Sequence, residues 1–262
     1  MIAIHYSDQD LLRHKYDVLV PTMGALHVGH ESLIKIAKLN GKKVLVSIFV
    51  NPLQFESKED LSNYPKSLEQ DIVTAENAGA DGVFTPSQSV VYPGIVSEVL
   101  AGEIGDLYEG KSRPKHFNGV LTVVKRLFEL TSPNSAIFGE KDFQQLFLIK
   151  KMVKDLNLPI NIVSAPTVRE VNGLALSSRN IFLDENQKKS AQVIYRALQK
   201  PTIEEMKKVL DTEPNFKLDY LEIIDEDTFL KADKTTQNKR AIIAGWINQV
   251  RLIDNMSVRA QS

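Results

Sequence analysis

The chain has 262 residues, enough for one large or two modest domains with a sizeable core. Its 32 Lys and Arg against 33 Asp and Glu leave a net charge of −1, which argues against a whole-protein electrostatic footprint for nucleic acid. Zero cysteines exclude disulfides, thiol nucleophiles and Cys-based zinc or iron–sulfur sites, and no apolar stretch approaches the roughly 20 residues that span a bilayer.

The opening residues show no basic start followed by an apolar run, so a cytoplasmic protein without a membrane partner is the expectation. Residues 18–30, Val-Leu-Val-Pro-Thr-Met-Gly-Ala-Leu-His-Val-Gly-His, predict a strand, a glycine turn and the entrance of a helix over 31–39. A helix N-terminus presents unpaired N–H groups and partial positive charge, and so favours anions. His27 and His30, three apart, can face one ligand there and follow charge developing on a phosphate. The His-x-x-His spacing also raises a metal site, but the one acidic neighbour, Glu31, points elsewhere on the helix. Phosphate is the preferred reading, and no metal ligand is assigned.

Further along, β-branched apolar runs at 44–50, 82–84, 135–138 and 160–163 predict buried strands, with helices near 30–40, 66–78, 118–131 and 142–156 between them. This alternation implies an α/β fold with a doubly wound parallel sheet, which binds ligands at the carboxyl ends of its strands. After the second strand, Asn51-Pro-Leu-Gln-Phe55 offers Gln54 as donor and acceptor, a structural turn and a substrate contact standing equally open. Residues 105–112, Gly-Asp-Leu-Tyr-Glu-Gly-Lys-Ser, match a P-loop literally. Two carboxylates, Asp106 and Glu109, would occupy the cradle, and Pro114 disfavours helix at Arg113, so the match is rejected. The basic run 113–119 that follows is either a solvated loop or one that attracts an anion.

Gly139-Glu-Lys-Asp142 follows a strand and opens a helix, with Lys141 as a mobile cation and Asp142 as a cap; ordinary capping is the alternative. The adjacent Gln144 and Gln145 point in different directions on a helix, so at most one faces a site. From about residue 171 the pattern becomes a smaller α+β domain, with helices near 185–199 and 202–211 and strands near 219–224, 241–247 and 249–255. After the Asn172-Gly173 turn, Leu176-Ser-Ser-Arg179 offers two hydroxyls and a guanidinium for phosphate, or simply a helix-entry serine. His5 and His14 read as surface histidines and Trp246 as a core residue. No G-x-S-x-G elbow or G-x-G-x-x-G loop is present.

Taken together, residues 21–30, Phe49-Val-Asn-Pro-Leu-Gln-Phe55, Arg113-Pro-Lys-His-Phe117, Phe138-Gly-Glu-Lys-Asp-Phe-Gln-Gln145, Val168-Arg-Glu and Gly173-Leu-Ala-Leu-Ser-Ser-Arg-Asn180 resemble the pantoate–β-alanine ligase family, in family order and over nearly the whole chain. The resemblance implies a Rossmann-like ATP- and pantoate-binding domain over 1–172 and a smaller C-terminal α+β domain over 173–262 covering the cleft. It implies ATP as cosubstrate with Mg2+, pantoate and β-alanine as the other substrates, and a homodimer. The expected reaction runs through pantoyl adenylate to pantothenate, AMP and pyrophosphate.

Carried over by position, Met23, Gly24, Ala25, Leu26, His27, Val28, Gly29 and His30 would hold ATP, together with Gly139, Glu140, Lys141, Asp142, Val168, Leu176, Ser177, Ser178 and Arg179. His30, His27, Lys141 and Arg179 would be catalytic, His30 in the proton-donor role. Gln54 and Gln145 would bind pantoate, Gln54 also lying near β-alanine. Two departures stand out: few residues precede the first expected strand, and Lys115 occupies a position where the family usually has glycine.

Overall fold

The computed structural model describes residues 2–55, 58–64 and 67–258. The chain divides into two compact units, Met1–Gly139 with Gln144–Ala165, and Glu140–Phe143 with Pro166–Ser262.

In the first unit, the described residues form a parallel sheet of β1 (Ala3–His5), β2 (Val18–Thr22), β3 (Val44–Ile48), β4 (Gly82–Phe84), β5 (Ser135–Gly139) and β6 (Asn161–Ala165). The order is β1-β4-β3-β2-β5-β6. The central strands are unbroken apolar runs because helices cover both faces of a parallel sheet. Val18, Leu19 and Val20 of β2 and every residue of β3 are buried. Helix α1 (Val28–Asn40) lays Ile34 and Ala37 into the same cluster as Val18, Val20, Val44 and Val46. Three further helices complete the layers: α2 (Leu68–Ala78), α3 (His116–Thr131) and α4 (Phe143–Asp155). The expected start of α2 at residue 66 lies outside the described residues.

The strand order reverses between β2 and β5. These two pair only at Val18–Ser135 and Leu19–Ala136, whereas β2 follows β3 as far as Thr22–Ile48. Their carboxyl ends therefore part, which is where open α/β sheets take ligands. Pro21 is tolerated in a central strand because it lies past the last residue that pairs with β5.

In this unit two differences from the sequence expectations have physical causes. Strand β1 is too short for periodicity to reveal, yet it pairs with β4 from Ala3–Gly82 to His5–Phe84. His5 is buried, not on the surface, because its Nε2 lies 2.7 Å from the Tyr16 hydroxyl. Residues 88–112 hold short helical turns at Gln88–Val91, Gly102–Gly105 and Glu109–Ser112. The literal P-loop match thus has no strand leading into it.

In the second unit, β7 (Phe216–Asp225), β8 (Lys239–Ile247) and β9 (Val250–Ser257) form an antiparallel sheet in that order. Helices α5 (Glu185–Leu198) and α6 (Ile203–Leu210) bury Ala191, Val193, Ile194, Ala197 and Met206 with Ile243 and Ile247 of the sheet. A capping box between Asp184 and Gln187 starts α5, and the Thr202 hydroxyl accepts from Glu205 N–H at the head of α6. The β8–β9 hairpin closes through Asn248 at φ 51°, a left-handed conformation asparagine tolerates. Trp246, expected in the core, is 37% exposed and sits between Lys217 and Arg251 in the sheet register. The result is an α/β fold with a doubly wound Rossmann-like sheet and a smaller α+β unit, as the alternation of elements predicted.

Candidate active site

Beyond Thr22 the chain turns through Met23–Leu26 into α1. Gly24 has φ 90° and Ala25 φ 52°. A Cβ on Gly24 would stand 2.8 Å from Oδ2 of Asp71, so the position demands glycine for space as well as conformation. Asp71, buried on α2, accepts from the backbone N–H of Ala25 at 3.0 Å and of Leu26 at 2.7 Å. Sequence reasoning missed it, because its partners lie 46 and 45 residues away and its own helix gives no sign of them.

A reciprocal cap starts α1. His27 Nδ1 accepts from Gly29 N–H at 3.0 Å, and His30 Nδ1 accepts from His27 N–H at 3.2 Å. The ring centroids are 4.2 Å apart. Since both Nδ1 atoms accept, each neutral ring carries its proton on Nε2, as a donor. The structure thus joins both predicted histidines to the dipole of one helix. Val28, between them, is exposed and Gly29 half-buried.

The turn after β3 is equally specific. Asn51 is buried and caps the 3-10 turn Pro52–Gln54, accepting from Leu53 N–H at 3.2 Å. Its amide donates to Gln54 Oε1 and to the Gly119 carbonyl, each at 3.0 Å. Gln54 Nε2 in turn donates to Met23 Sδ at 2.9 Å, bringing two predicted segments together. The turn packs so closely on α3 that a Cβ at Gly119 would sit 2.3 Å from the Leu53 carbonyl oxygen. The Gln54 carbonyl is held from the basic loop, by Arg113 at 3.3 Å and His116 Nδ1 at 2.9 Å. Between those residues Lys115 adopts φ 64°, the left-handed conformation that glycine takes freely. Tyr92, which the sequence did not single out, donates to Asn51 Oδ1 at 2.7 Å. Burial pushes its phenol well above the ordinary range, keeping it a donor.

Of the paired glutamines, Gln144 is buried and fully engaged. It accepts from Glu109 N–H at 3.1 Å and donates to the carbonyls of Ile104 at 2.8 Å and Leu107 at 2.9 Å. It therefore organises the turns over 102–112, while Gln145 remains half-buried one position further on α4. Gly139 closes β5.

In the second unit, Glu140–Asp142 form a 3-10 turn whose carbonyls at Glu140 and Lys141 accept from the Asn255 amide at 2.8 and 2.9 Å. Glu140 lies 3.7 Å from Arg240, which also stacks on the Phe143 ring at 4.1 Å. Lys141 is within 3.5 Å of Asp142. Leu176 N–H donates to the Val168 carbonyl at 2.9 Å across the tight turn through Asn172 and Gly173. Ser177 caps a 3-10 turn over Ser178–Phe182, accepting from Arg179 N–H at 3.3 Å. Lys141, Ser177 and Arg179 line one crevice, with Asp254 in its wall. Asp254 is held by two hydrogen bonds from Arg169, at 2.6 and 2.9 Å. The helix-entry role of Ser177 and its place beside two cations are thus both present.

Among the described residues no group of three His, Asp or Glu side chains is arranged to hold a metal ion, and no helix is long and apolar enough to cross a membrane.

Residues 5–257 match the family described as pantoate-beta-alanine ligase. A pantothenate synthetase of Chlorobium phaeovibrioides is 43% identical over 253 residues, covering 90% of this chain and 87% of that protein. The crystal structure of pantothenate synthetase from Thermus thermophilus aligns with a TM-score of 0.93 at 40% identity, covering 99% of this chain and 100% of that one. A pantoate-beta-alanine ligase from Francisella tularensis, described as complexed with beta-gamma ATP and beta-alanine, aligns with a TM-score of 0.84 at 38% identity, covering 100% of this chain and 99% of that one.

Proposed function

The chain belongs to the pantoate–β-alanine ligase family and forms pantothenate from pantoate and β-alanine with ATP, and we propose that it does so in two steps through a pantoyl adenylate. The pantoate carboxylate attacks the α-phosphorus of ATP, the bond to the bridging oxygen breaks, and pyrophosphate leaves. The amine of β-alanine then attacks the acyl carbon, loses a proton, and AMP departs as the pantothenate amide forms. Activation is needed because a carboxylate is a poor electrophile, whereas AMP is a good leaving group. The protein's task is positioning and charge stabilisation.

We assign ATP binding to Met23–His30 and Gly139, and to Glu140–Asp142, Val168 and Leu176–Arg179. His27 and His30, donors at Nε2 by the tautomer their caps impose, would meet phosphate oxygens at the head of α1. Lys141 and Arg179 would neutralise the departing pyrophosphate, with Ser177 and Ser178 adding hydrogen bonds. Gln54 and Gln145 would bind pantoate, and Gln54 would also lie near β-alanine. Mg2+ would arrive with the phosphates, the way this hard cation is usually held in nucleotide sites. We also propose residues 1–172 as the ATP- and pantoate-binding domain, residues 173–262 as the smaller one, a homodimer and a cytoplasmic location.

The reciprocal histidine cap on α1, beside the point where β2 and β5 part, carries this reading. Its test is pantoate-dependent exchange of labelled pyrophosphate into ATP, followed by AMP release that requires β-alanine. Exchange without amine-dependent AMP release would identify a simple adenylyltransferase. Absence of both would overturn the assignment.

A further inference from the structure

We infer that Tyr92 is a positioning residue which, acting through Asn51, fixes the end of the Gln54 amide that meets pantoate. The inference rests on the assignment of Gln54 to pantoate.

The chain of hydrogen bonds determines each amide in turn. Asn51 Oδ1 receives two donors, the Tyr92 hydroxyl at 2.7 Å and Leu53 N–H at 3.2 Å. The opposite end of that amide is therefore its NH2, and it finds two acceptors, Gln54 Oε1 and the Gly119 carbonyl, both at 3.0 Å. Asn51 is fully buried, so an inverted amide would set its oxygen against two carbonyl oxygens and leave the tyrosine and Leu53 facing an NH2 group. With its Oε1 already engaged, Gln54 turns its NH2 away from Asn51. One hydrogen goes to Met23 Sδ at 2.9 Å and the second remains to serve a ligand.

Gln54 thus meets its substrate as a donor. It suits an oxygen lone pair, as on the carboxylate or hydroxyls of pantoate, and rejects an ammonium group. A flipped amide would present a carbonyl oxygen to the same place and favour the charged amine of β-alanine. Tyr92 is itself well seated: its ring meets Phe49 edge-on at 6.1 Å, and the carbonyl of the preceding Val91 accepts from Arg126 Nε at 2.9 Å. Since the main chain of Gln54 is held independently by Arg113 and His116, loss of the tyrosine hydroxyl should release the side-chain amide without releasing the turn.

Steady-state kinetics of Tyr92→Phe test this, with Tyr16→Phe as a control that removes another buried hydroxyl, bonded to His5 instead. Tyr92→Phe should raise the KM for pantoate about tenfold, or about 1.4 kcal/mol, with the KM for ATP changed less than about twofold. The control should leave both unchanged. A normal pantoate KM in Tyr92→Phe, or an equal rise for ATP, would overturn the inference. If the wild-type enzyme shows no pantoate-dependent pyrophosphate exchange, the functional assignment itself fails. Should Tyr92→Phe not fold, side-chain amide NMR of the wild-type enzyme decides the matter. The Asn51 NH2 should exchange slowly and stay fixed when pantoate is added, while the Gln54 NH2 shifts. A rapidly exchanging Asn51 amide would refute the proposal.

Discussion

His30 Nδ1 accepts the backbone N–H of His27 at 3.2 Å, so the side chain assigned to developing phosphate charge also caps the helix that presents it. His30→Ala removes both roles, and their magnitudes differ. Loss of a cap costs about 1 kcal/mol, or about 2–4 °C in Tm for a chain of this size. Loss of a donor to a transition-state oxyanion typically costs on the order of 100-fold in rate. The variant should therefore remain folded by thermal melting while pyrophosphate exchange falls by roughly 100-fold or more. Near-normal single-turnover adenylation would remove His30 from the chemistry.

Asp71 touches the predicted nucleotide loop only through its backbone, at Ala25 and Leu26. Asp71→Asn keeps the size but replaces one accepting oxygen with an NH2 that opposes a backbone donor. The KM for ATP should rise several-fold with little change for pantoate, and urea unfolding should show a loss of about 1–3 kcal/mol. A variant with unchanged ATP KM would make Asp71 a purely structural residue.

Lys115 stands at φ 64°. The left-handed conformation costs a non-glycine residue roughly 1–2 kcal/mol, whereas glycine's extra freedom in the unfolded chain costs about 0.4–1 kcal/mol. The first term is the larger, so Lys115→Gly should stabilise the protein by about 0.8 kcal/mol, the difference between the midpoints of those two ranges. Differential scanning calorimetry would detect the rise in Tm; a fall would show that the lysine side chain makes a compensating contact.

His5 supplies a pH dependence. Burial, with help from His14, holds its imidazole below the ordinary 6.5, while Asp10 pulls weakly the other way. The unfolded chain therefore binds more protons here than the folded one, and stability rises with pH across this window. It should decline as pH falls through about 6.5 and go on declining until the lowered folded value is passed. Urea midpoints at successive pH values should show this slope in the wild type and a shallower one in His5→Gln. Equal slopes would place the acid sensitivity elsewhere.

The parts of the fold carried by long periodic segments were legible in the sequence: five of the parallel strands, the four longer helices of the first unit and the hairpin region of the second lie close to their expected places. What escaped was set by distant partners. Strand β1 is defined by its pairing with β4, and His5 is buried because Tyr16 lies beside it. The glutamine pair could be narrowed to one candidate from helical geometry alone, but the choice of Gln144 as the packed member follows from carbonyls some 40 residues earlier. Likewise, Asn51 could be quoted from its motif, while Tyr92, 41 residues on, carried no local sign of its hydrogen bond to it.

The contact between Gly119 and Leu53 ties the Gln54 turn to the backbone of α3, a helix buried along most of its length. Such a turn has no independent opening motion, since peeling it away would expose the helix core. On the proposed assignment, recognition at Gln54 would be preformed, and pantoate would order little backbone there on binding. In native-state hydrogen exchange, the amides of this turn should be released together with those of α3, at the free energy of global unfolding, although the turn lies in a loop where exchange is ordinarily fast.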